Sequence, residues 1–194
     1  MRRVAVSDTA VKLMDLAEER IRVAGYHGFS FRELAAKAGI SSASVHYHFP
    51  TKTGIVVAIV QRSMDRFAER VTPIPGETAV HAIEAYRSAF RSGLCDKGGM
   101  CLFGMLGAES GGLPPEIGDR IGEFFRDATI DLARRIGGPD AEERAFAILA
   151  TLEGGLVLAR ACNNAEAFDR ATHELAAAAA NDDRPGDRDT AAVR

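Results

Sequence analysis

The sequence has no tryptophan and few aromatic residues, 7% of 194, against 19 glycines. With so few large fillers, the core of such a chain has room for an internal cavity. Cysteine is scarce as well: three residues, an odd number without scaffold-like spacing, argue against a secreted disulfide framework. No apolar run is long enough to span a membrane, and Met1-Arg2-Arg3 leads straight into polar sequence, unlike a signal peptide. A soluble, cytoplasmic protein without membrane partners is therefore expected. Phosphate loops and nucleophile–base pairs are missing too. His46 and His48 resemble metal ligands only superficially, because residues two apart point to different helix faces and no cysteine or carboxylate stands at zinc spacing around them. These absences argue against an enzyme, and no metal or cofactor is expected. No segment alternates like a half-buried strand, whereas every long segment has helical period, so the fold is expected to be all-α.

What the chain does have is a stretch from residue 30 to 53 that spells two short helices joined by a tight turn. Ser30 followed by Glu33 is a capping box, Leu34, Ala35 and Ala38 form a small apolar stripe, and Gly39 stops the helix. Ser41 can cap a second helix, which Pro50 prevents from continuing beyond Phe49. The leading residues of that helix, Ser42, Ala43 and Ser44, are slim and suit insertion into a major groove. Lys52 opens the next helix, where an ammonium opposes the helix dipole unless an anion such as a DNA phosphate lies nearby. The charge distribution agrees. The net charge is −3, but residues 1–70 hold 11 Lys or Arg against 7 Asp or Glu, while residues 71–194 hold 13 against 20. Arg2, Arg3, Lys12, Arg32, Lys37 and Lys52 are the candidates for phosphate contacts.

Residues 7 to 60 resemble the N-terminal domain of the TetR family of one-component transcriptional regulators. The resemblance rests on the order of an amphipathic first helix ending at Gly25, the link Tyr26-His27-Gly28-Phe29-Ser30, then Ala38-Gly39-Ile40-Ser41, Val45-His46-Tyr47-His48-Phe49 and Lys52. It implies that His46, Tyr47 and His48 join the DNA-reading surface. The family usually has tyrosine where this chain has His46, which puts the hydroxyl contact at that position in doubt. The bland alternative is that these three rings only pack the small domain.

The first helix should start at Asp8, capped by Ser7, with Leu13, Ala17, Ile21 and Ala24 on one face, and the fourth should run from Lys52 to Val71. Thr72-Pro73-Ile74-Pro75-Gly76 then marks the expected boundary, since two prolines and a glycine cannot sit inside one helix. The expected organisation is a helix-turn-helix domain over 1–50 with a connecting helix over 51–72, a ligand-binding and dimerisation domain over 76–180, and a disordered tail over 181–194. Further helices are suggested at 77–94, 100–109, 115–136, 140–162 and 165–180, about nine in all. On the last two, Phe146, Leu149, Leu152 and Leu156 are accompanied by small residues, and Phe168 and Leu175 lie on a stripe at helical spacing. In the TetR family the final two helices pair with those of a second subunit, so the resemblance implies a homodimer reading a palindromic double-stranded operator.

The body of the chain carries two further signals. Residues 96–109 resemble the family branch that includes NemR-like and AcuR-like regulators, in which a cysteine near the start of the sixth helix lies by the effector site. Gly98 and Gly99 place Cys101 in or just before a first helical turn and Lys97 is close in sequence, so a lowered thiol pKa and reaction with electrophiles are expected; the alternative is a small buried hydrophobe. Met64, Phe67, Tyr86 and Phe90, with Met100, Phe103, Met105, Phe124 and Phe125, could line an apolar cavity for a small-molecule effector. Tyr86 or Glu109 could orient a polar group of that ligand. The expected function is thus a repressor released from its operator by a small-molecule or electrophilic effector; the alternative is a helical dimeric interaction module whose DNA head has lapsed.

Overall fold

The computed structural model describes residues 7–95 and 100–177, and among them every regular element is helical. Arg2, Arg3, the 96–99 segment and the expected tail lie outside the described residues. The first four helices begin where their capping residues put them. Helix α1 (Asp8–Ala24) opens on Ser7, whose Oγ accepts the Ala10 N–H at 3.2 Å. A short 3-10 turn (Tyr26–Gly28) leads to α2 (Phe31–Ala38), where Ser30 Oγ accepts the Glu33 N–H at 3.3 Å and Glu33 accepts the Ser30 N–H at 2.7 Å. Gly39 ends α2 with φ 73°, in the left-handed region that disfavours side chains. Ser41 caps α3 (Ser42–His48) and Thr51 caps α4 (Lys52–Arg70) in the same manner. Each such cap contributes about 1 kcal/mol.

After the Pro73–Gly76 break come α5 (Ala79–Cys95), α6 (Leu102–Ala108), a 3-10 turn (Ser110–Gly112), α7 (Pro115–Ile136), α8 (Ala141–Ala161) and α9 (Glu166–Thr172). The last helix differs from expectation. It breaks at His173–Glu174 and becomes helical again at 175–177 instead of running unbroken from 165. Thr172, fully buried, donates its hydroxyl proton to the Phe168 carbonyl at 2.8 Å and accepts Arg87 Nε at 2.9 Å. Threonine bonded back to the preceding turn in this way bends helices.

Apolar packing does not divide at the proline break. One cluster joins Leu13, Ile21, Leu34, Val45 and Ile59 of the first four helices to Leu102, Leu106, Ile117 and Phe124 of α6 and α7. A second joins α5, the last turns of α7, and α8 and α9 through Ile83, Tyr86, Leu132, Leu152 and Phe168. Phe67 and Cys101 pack against both. The head is therefore fused to α6 and α7 through shared core, so a movement of either helix is felt by α1 and α4.

Candidate functional site

On α3 the buried side is Val45, which anchors the helix on the head core, and the outward side carries Ser42, Ala43, His46 and Tyr47. Tyr47 is 84% exposed, far more than any other large apolar or aromatic residue left open among the described residues. A ring left this open adds little to folding and is free to meet a partner. Its ring meets His48 edge-on at 5.3 Å, and His48 Nδ1 lies 3.5 Å from Ser7 Oγ, so His48 closes α3 against the start of α1. His46 rests edge-on against Phe31 at 4.9 Å. Ser44 is half-buried and its hydroxyl pairs with that of Ser41 at 2.9 Å, while Arg32 is exposed on α2.

Two of the candidate phosphate-binding lysines have partners inside the chain. Lys52 Nζ donates to the Phe29 carbonyl at 2.7 Å and lies 4.5 Å from the Phe29 ring centre and 4.8 Å from that of Tyr26. Burial among these rings holds its pKa below the ordinary lysine value. The ammonium thus clamps the 26–29 link to the start of α4, using one of its three N–H donors. Lys12 Nζ likewise donates to the Ala38 carbonyl at 3.0 Å, at the end of α2.

The body holds the end of α1 at three points that sequence reasoning missed. The Arg22 carbonyl accepts the Met100 N–H at 2.9 Å and Arg160 Nη1 at 2.9 Å, and the Val23 carbonyl accepts Arg160 Nη2 at 2.8 Å. The Glu109 carboxylate accepts the Tyr26 N–H at 2.8 Å and fills the space over Gly25 where a Cβ would stand. Glu109 is therefore committed to the head and does not line the described cavities. A helix C-terminus leaves carbonyls without partners, and here residues of α8 and of the segment leading into α6 supply them. In the sequence, Arg160 looks like any solvated arginine, 138 residues away from the Arg22 carbonyl that it caps.

The candidate effector residues do not form one wall. Phe103 and Phe124 stack at 3.5 Å, with Phe67 edge-on to Tyr86, Phe90 and Phe124 at 5.1 to 5.7 Å, which fills the centre. Among the described residues, three hollows lie around this cluster. One of about 80 Å³ lies between α1, α4, α5 and α6 and touches Phe67, Phe90, Cys101, Phe103 and Phe124. A second, of about 420 Å³, takes in Met64, Phe67, Tyr86 and Phe124 between α4, α5 and α7. The third, about 540 Å³, opens between α6, α7 and α8 beside Phe125, Phe146 and Glu153. Met100 and Met105 line none of the three. Nor is the Tyr86 hydroxyl free to orient a ligand, since it is placed to donate to the Ala128 carbonyl at 3.1 Å or Asp131 Oδ2 at 3.0 Å. Burial, then Asp131, push its pKa far up. Asp131 in turn pairs with Arg135, which reaches the Val71 carbonyl at 2.7 Å and Glu77 at 2.6 Å, pinning the end of α4 to α7 across the proline break.

Cys101 differs from expectation in its electrostatics. Burial first, and then the neighbouring Glu153 carboxyl, push its thiol well above the ordinary range rather than below it. Glu153 is raised by its own burial to about 7, against a smaller lowering by the Cys101 thiol beside it, and neither of its buried carboxylate oxygens has a partner at good hydrogen-bond geometry. The bland reading of Cys101 as a packing residue fits this setting: it is half-buried, and a thiol whose nearest charged partner is a carboxyl stays protonated.

Four of the six expected dimer residues are spent inside the chain. Leu149, Leu152, Leu156 and Phe168 belong to the second core, and Leu175 packs partly against it. A helix that must bury one face on α5, α7 and α9 has only its other face to offer. On that face Phe146, Val157 and Leu158 are 55%, 52% and 51% exposed, with Ala150 and Gly154 open between them.

Among the described residues no group of three or more His, Cys, Asp or Glu could hold a metal ion, and no helix is long and apolar enough to cross a membrane. The family model for bacterial regulatory proteins of the tetR family matches residues 13–59. No curated protein matches the sequence. Among solved structures, a TetR transcriptional regulator from Legionella pneumophila is 26% identical with a TM-score of 0.82, covering 90% of this chain and 99% of its own. A TetR-family regulator from Agrobacterium tumefaciens is 23% identical with a TM-score of 0.79, covering 88% and 96%. The reduced form of NemR from E. coli has the same fold at 19% identity, with a TM-score of 0.70 over 87% and 95%. Residues 13–59 thus match the tetR-family model in a helix-turn-helix head that presents α3, and with the five further helices described after the proline break the chain has the fold of TetR transcriptional regulators.

Proposed function

We propose that the protein is a homodimeric repressor that leaves a palindromic operator when a small molecule enters its body. The observation that carries this reading is the hold of the body on the end of α1 through Met100, Glu109 and Arg160. A ligand that favours a different packing of α6 or α8 acts on those bonds and shifts the population of head positions. Tyr47, Ser42, Ala43 and His46 face the major groove, with Arg32 beside them and the Arg2-Arg3 arm and Lys52 toward phosphates. Two heads come from a dimer through Phe146, Ala150, Gly154, Val157 and Leu158, where the small residues let a second helix approach closely. With the Cys101 thiol half-buried and its pKa raised, reversible binding is favoured over reaction with an electrophile as the trigger.

The test is an electrophoretic shift with DNA from the protein's own upstream region, with and without candidate effectors. A shifted band of dimer stoichiometry that is lost on adding ligand is the expected result. A protein that shifts no such DNA at low salt has a lapsed head and acts through other partners.

A further inference from the structure

The smallest of the three hollows has an unusual charge balance. Arg22 of α1 and Arg66 and Arg70 of α4 line it, and the one carboxylate on its wall among the described residues is Glu18. That carboxylate is already in demand: Arg62 reaches it at 2.8 Å, Arg66 at 2.7 Å, and Arg22 Nε stands off at 3.5 Å. Among the described residues, Arg70 is held only by the neutral hydroxyl of Ser92, at 2.8 Å. Arg22 is left short, because its Nε and Nη1 are buried and have no hydrogen-bond acceptor. A buried guanidinium with unmatched donors is costly, and an anion relieves that cost. The rest of the lining is largely apolar and includes Phe90, Leu102 and Phe103. About 80 Å³ suits a molecule on the order of six heavy atoms.

From this we infer that the hollow between α1, α4, α5 and α6 is a binding site for a small organic monocarboxylate, its carboxylate taken by Arg22 with Arg66 and Arg70 and its hydrocarbon part laid against the phenylalanines. The inference deepens the proposed function and rests on it for its consequence, not for its chemistry. Arg22 lies in the last turn of α1, and its own carbonyl is the point that Met100 and Arg160 hold. A carboxylate that draws Arg22 and Arg66 away from Glu18 loosens the α1–α4 pairing beside that point. Ligand and head are then coupled through one residue instead of through a distant helix.

Calorimetry on the full-length protein with butyrate, butyramide and butylamine tests the chemistry. Butyrate is expected to bind, and its neutral and cationic counterparts are not. Arg22→Gln should weaken butyrate binding by about ten- to a hundredfold, the weight of a charge-assisted hydrogen bond. Arg70→Gln, in a more exposed residue that leaves the Glu18 network intact, should weaken it several-fold and serves if Arg22→Gln fails to fold. Absence of butyrate binding, equal binding of butyramide, or unchanged binding in both variants would overturn the site. A parallel operator-shift assay keeps the two readings apart: butyrate that binds without releasing DNA counts against effector control and leaves the site standing, whereas release by another molecule with no butyrate binding removes the site alone.

Discussion

Replacing Glu153 by Gln should stabilise the protein, and by an amount that depends on pH in a defined way. Glu153 faces Cys101 and Gly104 with both carboxylate oxygens buried and unbonded, and burial raises its pKa from 4.5 to about 7. Between these two values the unfolded chain has released the proton while the native state retains it. The native state then binds more protons, and stability falls as pH rises through that window. Well below 4.5 the carboxyl is neutral in both states and costs nothing extra. Above 7 the full difference applies, about 3 kcal/mol. Glu153→Gln removes the ionisation, so wild type and variant should agree near pH 4, differ by about 1 kcal/mol at pH 5 and by about 3 kcal/mol at pH 8. Urea unfolding midpoints at matched protein concentration, taken every half pH unit, read this directly. Glu18, Glu77 and Asp169, whose pKa values are held down, give the opposite slope in acid, but equally in both proteins. Their contribution cancels in the difference. If the gap between the two curves were independent of pH, or shrank as pH rose, Glu153 would not be a buried, unpaired carboxyl.

Four further outcomes are expected. Tyr47→Ala should lower specific operator affinity by about 1–3 kcal/mol while leaving low-salt binding to random DNA nearly intact, as judged by competition shifts; equal losses on both would remove it from base reading. Leu158→Asp, on the open face of α8, should yield monomers by light scattering, whereas a dimer that survives it would move the interface elsewhere. Limited alkylation followed by mass spectrometry should modify the exposed Cys162 well before Cys101, and the reverse order would mean that Cys101 is an accessible thiolate. Arg160→Ala should speed amide hydrogen exchange in the last turn of α1 and alter ligand-induced release, because it frees the Arg22 and Val23 carbonyls; unchanged exchange there would mean that this link does not hold the head.

The helix boundaries of the head were legible because each is written by a local residue: Ser7, Ser30 with Glu33, Gly39 and Ser41 act on backbone groups within a few positions of themselves. The same holds for the break at Pro73–Gly76 and for Pro115 at the start of α7. The exposure of Tyr47 and the anchoring by Val45 follow from one short helix with one buried side. In α8 the local pattern misled. Its leucines are periodic whether the partner is α5, α7 and α9 of the same chain or the α8 of another, and hydrophobicity does not say which.

Sequence alone determined the helices of the head, their caps and the likeness to the tetR-family head, since all of these rest on interactions between near neighbours or on the order of motifs. Only tertiary structure decided where the long side chains end. Lys52 turned to the Phe29 carbonyl, Glu109 to the Tyr26 N–H and Arg160 to the end of α1; Cys101 met a carboxyl where a cation was expected, and three arginines gathered around one hollow. The reason is physical: a charged side chain is satisfied by whichever opposite charge or free carbonyl the packing brings within about 3 Å, and that partner can lie anywhere along the chain.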